Sequence, residues 1–178
     1  MPRLHVVCGP AGVGKSTYGK TLAAEKRACF LDSDTVTEPV VRAGMELGGF
    51  DPNDRDSGVY RAAFRTAVYE CLFQTAAENL PHVSVVLVGP FTSEIRKAEW
   101  PDELAERFSC EVEVIFVTCP EDERYRRIRG RENPRDELKL ADWEGYLKGV
   151  DLRPPAFDYR EIRTHSRINN RASSQASP

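Results

Sequence analysis

The chain has 178 residues, 40% hydrophobic and 30% charged, with a formal net charge of −3. That length suits one domain around one core, and the weak acidic balance gives no support for non-specific nucleic-acid binding. No run of about 18 apolar residues occurs, so the reading is a cytoplasmic protein with no membrane partner.

Leu4–Cys8 reads as a short strand, followed by a glycine-rich turn over Gly9–Gly14 and a helix over Lys15–Lys26. A second strand over Ala28–Leu31 ends at Asp32. A short helix is expected over Val36–Met45, then a turn-rich stretch from Gly48 to Gly58. Val59–Leu80 has no breaker, and Tyr60, Phe64, Ala67, Val68, Cys71, Leu72 and Thr75 share one helical face. Val83–Val88 is nearly all apolar, as a strand buried on both faces should be. Trp100-Pro101 is expected to break a helical region over Ser93–Phe108, and Val112–Val117 is another strand.

Pro120 opens a charged helix over Glu121–Arg131. Asn133-Pro134 breaks it, and helix resumes over Asp136–Lys148. Tyr159–Thr164 reads as a last strand, and the polar, Ser-rich residues 165–178 as a disordered tail. Strands alternating with helices predict an α/β protein with a parallel sheet, in one domain over residues 1–164. Five scattered cysteines (Cys8, Cys29, Cys71, Cys110, Cys119) show no C-x-x-C pair and read mostly as small core residues. With three dispersed histidines, no zinc site is expected. Trp100 and Trp143 read as packing residues.

The stretch Gly9-Pro-Ala11-Gly12-Val13-Gly14-Lys15-Ser16-Thr17 satisfies G-x-x-x-x-G-K-[ST], with a strand before it and a helix after it. Its glycines let the backbone wrap an anion, and the helix adds its positive end. Residues 9–17 are therefore expected to hold the phosphates of ATP or GTP. Lys15 should reach the outer phosphates, and the Ser16 hydroxyl should face Mg²⁺.

Asp32-Ser33-Asp34 follows the second strand, where strand ends line a ligand crevice. One carboxylate there could hold Mg²⁺ through water while the other takes a proton from an attacking hydroxyl. The competing reading is an N-cap for the next helix. Six arginines (Arg124, Arg126, Arg127, Arg129, Arg131, Arg135) follow the fourth strand. Arg127 and Arg131 lie i,i+4, with Arg124 joining that face, and a phosphate clamp competes with a solvated helix face. Arg127 and Arg131, with Arg135 third, are the choices for phosphate contact. No acid stands at the end of Val85–Val88, where switch and motor NTPases carry one, and Glu94 comes later. That departure turns the expectation from hydrolysis toward phosphoryl transfer, with Ser16 and Asp32 on the metal.

The P-loop, the acidic pair and Arg127-x-x-x-Arg131 together resemble the small P-loop kinases. That group includes shikimate and gluconate kinases, chloramphenicol phosphotransferase, zeta-toxin kinases and the kinase domain of polynucleotide kinase. The resemblance spans about residues 4–150. Phe91 and Thr92 after Gly89-Pro90 are similar in texture to members near the antibiotic phosphotransferases. The resemblance implies five parallel strands in order 2-3-1-4-5, a lid near 120–136, and Asp34 as general base. It also implies an acceptor region about 34–66, which offers Arg42, Asp54, Arg55, Asp56, Tyr60 and Arg65. Asp34, Arg55, Asp56, Tyr60, Phe91 and Arg135 are the expected acceptor contacts, Tyr60 or Phe91 stacking on a ring. Asp56 or Ser57 as a helix cap is the competing reading. No adenine motif is evident; Arg163 is the sole candidate. The expected activity is transfer of a γ-phosphate to a hydroxyl of a small molecule, an antibiotic or sugar-like compound being a candidate. A polynucleotide 5′-hydroxyl kinase and a non-catalytic nucleotide-binding module are the alternatives.

Overall fold

The computed structural model describes residues 1–55 and 57–165. Its sheet is built from β1 (Arg3–Cys8), β2 (Cys29–Asp32), β3 (Val85–Val88), β4 (Glu111–Thr118) and β5 (Arg160–Arg163). All neighbouring pairs are parallel, in the order β2-β3-β1-β4-β5. The central strand is apolar, and Leu4, Val6, Val7 and Cys8 are fully buried. Successive side chains point to opposite faces, so the sheet needs cover on both. Leu4, Val6 and Cys8 join the larger core cluster, whereas Val7 joins Val86, Val88, Ile115 and Val117 in the smaller one.

Helix α1 (Lys15–Lys26) covers the smaller cluster with Leu22 and Ala23. The larger cluster is covered by α2 (Ser33–Leu47), α4 (Thr66–Asn79) and α5 (Trp100–Phe108). A short α3 (Gly58–Tyr60) and a π-helical stretch, Arg61–Arg65, lead into α4. After β4 come α6 (Glu121–Gly130), a 3₁₀ turn at Pro134–Asp136, α7 (Glu137–Ala141) and α8 (Trp143–Gly149).

Several boundaries differ from the sequence expectations for physical reasons. Helix α2 begins at Ser33 because Asp32 caps it, its Oδ1 accepting from the Asp34 N–H at 3.0 Å. Pro101 sits in the first turn of α5, where its missing N–H costs no helical bond, so it opens that helix rather than breaking one. Helices α7 and α8 are separated at Asp142, whose side chain accepts from the Gly145 N–H. The expected face of the 59–80 helix shifts by one residue. Ala67 and Cys71 are exposed, and the buried positions are Val68, Tyr69, Leu72, Phe73 and Ala76. The π-helical stretch takes up one extra residue and rotates everything after it. Of the cysteines only Cys8 is fully buried, and none of the five is in a disulfide. The expected disordered tail lies outside the described residues beyond His165.

Candidate active site

The chain order reverses at β1, so the loops after β1 and β3 diverge and leave a crevice at their C-terminal ends. A cavity of about 1140 Å³ opens there. It runs from the turn after β1, past the start of α2, to the segment after α6.

The turn after β1 is a backbone construction. Gly9, Gly12 and Gly14 have φ of 134°, 81° and 93°, which disfavour any residue with a Cβ. The turn is also tight: a Cβ on Gly9 would lie 2.4 Å from the Val117 carbonyl oxygen, and one on Gly12 2.8 Å from Ile128 Cγ1. The Val13 carbonyl accepts from Thr164 Oγ1 at 2.7 Å and from Arg127 Nη1 at 3.1 Å, tying the turn to the end of β5 and to α6. Lys15 Nζ donates to the Pro10 carbonyl at 2.7 Å. Burial pulls the Lys15 ammonium down to about 8, opposed by the charges of Asp34 and Asp32. Cys8 lies beneath, its thiol pushed up to about 12 by burial, and is no nucleophile at neutral pH.

Of the expected phosphate-site residues, Ala11, Gly12, Gly14, Lys15, Ser16 and Thr17 line the cavity. Gly9 and Val13 stand behind it, Gly9 against β4 and the Val13 side chain in the smaller core cluster. Asp32 and Asp34 both line the cavity but differ in setting. Asp32 is buried and engaged through Oδ1 in the cap, whereas the Asp34 side chain is 66% exposed. The cap is therefore formed, and both carboxylates border the cavity.

Arg127, Arg131 and Arg135 line the cavity, and Arg124, Arg126 and Arg129 do not. The expected placement of Arg124 with Arg127 on one open face is corrected: Arg124 is 3% exposed and stacks on Trp143 at 5.5 Å. Trp143 also packs on Tyr125 and Tyr146. Arg127 is held by Glu123 at 2.5 Å, and Arg131 by the buried Asp136 at 2.5 Å.

At the acceptor end, Arg55, Tyr60 and Arg65 line the cavity, and Arg42 and Asp54 do not. Arg42 donates to Asn53, and Asp54 accepts from the Ser57 N–H. Ser57 is the helix cap, its Oγ accepting from the Tyr60 N–H at 3.1 Å. Asp56 lies outside the described residues. Phe91 is corrected outright: it is fully buried and packs on Tyr69, Phe73 and Trp100 with ring centroids 4.9, 6.2 and 5.4 Å away. Its left-handed φ of 46° turns the ring under β3 instead of into the cavity. Arg163 does not reach the cavity either.

Glu38 was not singled out by sequence, yet it organises this end. Its Oε1 accepts from Arg55 Nη2 at 2.9 Å and its Oε2 from Arg135 Nη1 at 3.0 Å. Arg135 also lies 3.4 Å from Asp34 Oδ1. The available signal was spacing: Glu38 is i+4 from Asp34 on α2 and shares its face. Arg96 was missed as well. It lines the cavity and reaches the Pro154 and Arg153 carbonyls at 2.8 and 2.6 Å, with Asp151 at 3.7 Å.

A parallel sheet in this order, with a phosphate cradle after β1 and a basic helical segment after β4, defines a small P-loop kinase. The chain belongs to the AAA domain family, whose model matches residues 4–152. It is 28% identical over 151 residues to shikimate kinase of Legionella pneumophila strain Corby, covering 84% of this chain and 77% of that protein. It is 29% identical over 172 residues to shikimate kinase of Corynebacterium glutamicum, covering 96% and 89%. A solved gluconokinase of Sinorhizobium meliloti has the same fold, with a TM-score of 0.52 at 20% identity over 91% of this chain and 81% of that one. No helix among the described residues is long and apolar enough to cross a membrane.

Proposed function

We propose that this kinase transfers the γ-phosphate of ATP or GTP to a hydroxyl of a small, non-nucleic-acid acceptor. The reading rests on one observation above the others: the exposed Asp34 carboxylate and the half-buried Lys15 line one cavity, large enough for a nucleotide and a second molecule. Phosphates lie in the cradle of Ala11–Thr17, with Lys15 on the outer oxygens and Arg127 and Arg131 covering them from α6 and its end. The acceptor lies between Asp34, Arg55, Tyr60 and Arg135. Its hydroxyl oxygen attacks the γ-phosphorus, the bond from that phosphorus to the β-phosphate oxygen breaks, and the nucleoside diphosphate leaves. The hydroxyl proton goes to the Asp34 carboxylate.

The residues fit Mg²⁺. Ser16 lines the cavity with Asp32, whose cap bond uses one carboxylate oxygen and leaves the other. Magnesium bound chiefly by phosphates and water needs no larger cluster of protein ligands, and none of three or more acidic, His or Cys groups occurs among the described residues. When bound, the ion neutralises phosphate charge; the chain's own part is to orient the phosphates and to take the proton.

Residues 1–164 form one functional unit, with 120–136 as the lid over the phosphates. Asp34→Asn is the test. It keeps nucleotide affinity and lowers transfer about 10²–10⁴-fold, the range of general base catalysis. Turnover equal to the parent protein would remove Asp34 from that role.

A further inference from the structure

Asp136 lines the cavity and is, at 1% exposed, the most deeply buried carboxylate among the described residues. The turn that carries it is stiff. Pro134 fixes one φ, the Asn133 side chain accepts from the Arg135 N–H at 3.0 Å, and the Asp136 N–H donates to the Asn133 carbonyl at 2.9 Å. Its two oxygens hold two different cations. Arg131 Nε donates to Oδ2 at 2.5 Å, and Lys139 Nζ donates to Oδ1 at 3.4 Å. Arg131 is gripped by Nε alone: its Nη1 and Nη2 have no hydrogen-bond partner among the described residues, and its side chain is 43% exposed. Arg127 is committed at both edges by comparison, with Nε on Glu123 at 2.5 Å and Nη1 on Thr164 Oγ1 and the Val13 carbonyl at 2.8 and 3.1 Å. The charge of Arg131 is also felt at Lys15, where it disfavours the ammonium.

On the phosphotransferase reading above, which sets Arg131 over the phosphates, we infer that Asp136 is a positioning residue for the outermost phosphate of the donor, gripping Arg131 by Nε and leaving its Nη1–Nη2 edge for phosphate oxygens. Two N–H donors side by side match two oxygens of one phosphate, provided that the plane of the guanidinium is fixed. A long arginine side chain does not fix it unaided, because its rotamers are many. A buried carboxylate on a stiff turn does. The phosphate does not compete with Asp136, since the two anions take different nitrogens of one guanidinium. Lys139 on the second carboxylate oxygen brings another positive charge, so Asp136 orients Arg131 without cancelling the charge that the phosphate meets.

Calorimetry on the full chain with Mg²⁺ tests this without an acceptor. It compares ADP with adenylyl imidodiphosphate and GDP with guanylyl imidodiphosphate, and the diphosphate-to-triphosphate ratio of Kd isolates the outermost phosphate. In Asp136→Ala that ratio falls about tenfold while diphosphate affinity holds. Arg131→Ala gives a similar fall, and Asp136→Ala adds nothing in the Arg131→Ala background, because the two residues act as one unit. Asp136→Asn keeps the shape and an acceptor oxygen for Nε, lowers the ratio by less, and carries the test where Asp136→Ala does not fold. Loss of diphosphate affinity in both Asp136 variants means that Asp136 only holds the turn, and overturns the inference. Losses that multiply in the double variant overturn it too, as does a ratio unchanged or raised by Asp136→Ala. A ratio unaffected by Arg131→Ala removes the placement on which the inference rests. A parent protein that binds neither nucleotide pair overturns the phosphotransferase reading as well.

Discussion

The two ends of the cavity are made by different means. The phosphate cradle is mostly backbone. Three glycines with positive φ shape it, the neighbouring Val117 and Ile128 leave no room for a Cβ at two of them, and a single lysine adds charge. The acceptor end is mostly side chains. Glu38, Arg55, Arg65, Arg96 and Arg135 are held by ion pairs, and Tyr60 packs its ring under Arg55. A backbone cradle recognises what all nucleoside triphosphates share, whereas a wall of paired charges can be retuned one residue at a time.

The largest expected break of that contrast is Lys15→Met. It removes the only charged side chain of the cradle and lowers transfer about 10²–10³-fold, as loss of one positioned donor at a transition state does. Acceptor discrimination among the residual turnovers stays the same, and steady-state kinetics with matched acceptors checks both points. A change in discrimination would mean that the two ends are not separable.

Gly9→Ala is the next. It acts through the fold instead of the charge, because the added methyl meets the Val117 carbonyl at a φ of 134°. The strained backbone costs about 1–3 kcal/mol, read from chemical denaturation. Substitutions at the acceptor wall such as Glu38→Gln leave glycine geometry untouched and should move stability less than specificity.

The smallest effect is in pH. Burial lowers Lys15 to about 8 in the free protein, while bound phosphates favour its charged form. Nucleotide binding therefore takes up protons in the window above about pH 8 and does not do so at pH 7. Calorimetry in buffers of different ionisation enthalpy measures that uptake, and its absence at pH 8.5 would contradict the assigned environment. The same shift has a sign for stability. The folded pKa lies below the ordinary value of 10.5, so the unfolded chain binds more protons between the two. Free-protein stability from this group rises with pH across that window.

Much of this was legible residue by residue. Gly9–Thr17 announces itself because its chemistry is local: a strand, a tight turn and a helix start within nine residues. Asp32 and Asp34 were legible for the same reason, each being fixed by the end of β2 and the start of α2. Helical spacing picked out Arg127 and Arg131, which reach the cavity, but also Arg124, which does not; Arg135, the third choice, reaches it from beyond the helix. Phe91 was misread because sequence places it beside a crevice-lining strand end, and only its left-handed φ sends the ring inward. The helical face after Tyr60 was misread by one residue because a π-helical turn has no reliable sequence signature.

By itself, then, the sequence determined the parallel α/β architecture, the glycine-rich turn after β1 and the basic segment after β4, since strand pattern and turn chemistry act over a few residues. Only the tertiary structure decided which charges neutralise which. Glu38 and Arg135 are 97 residues apart, and Arg127 likewise donates to the backbone carbonyl of Val13, 114 residues away. Such pairs are made by the packing of α2 and α6 around the ends of the strands, and spacing along the chain carries no trace of them.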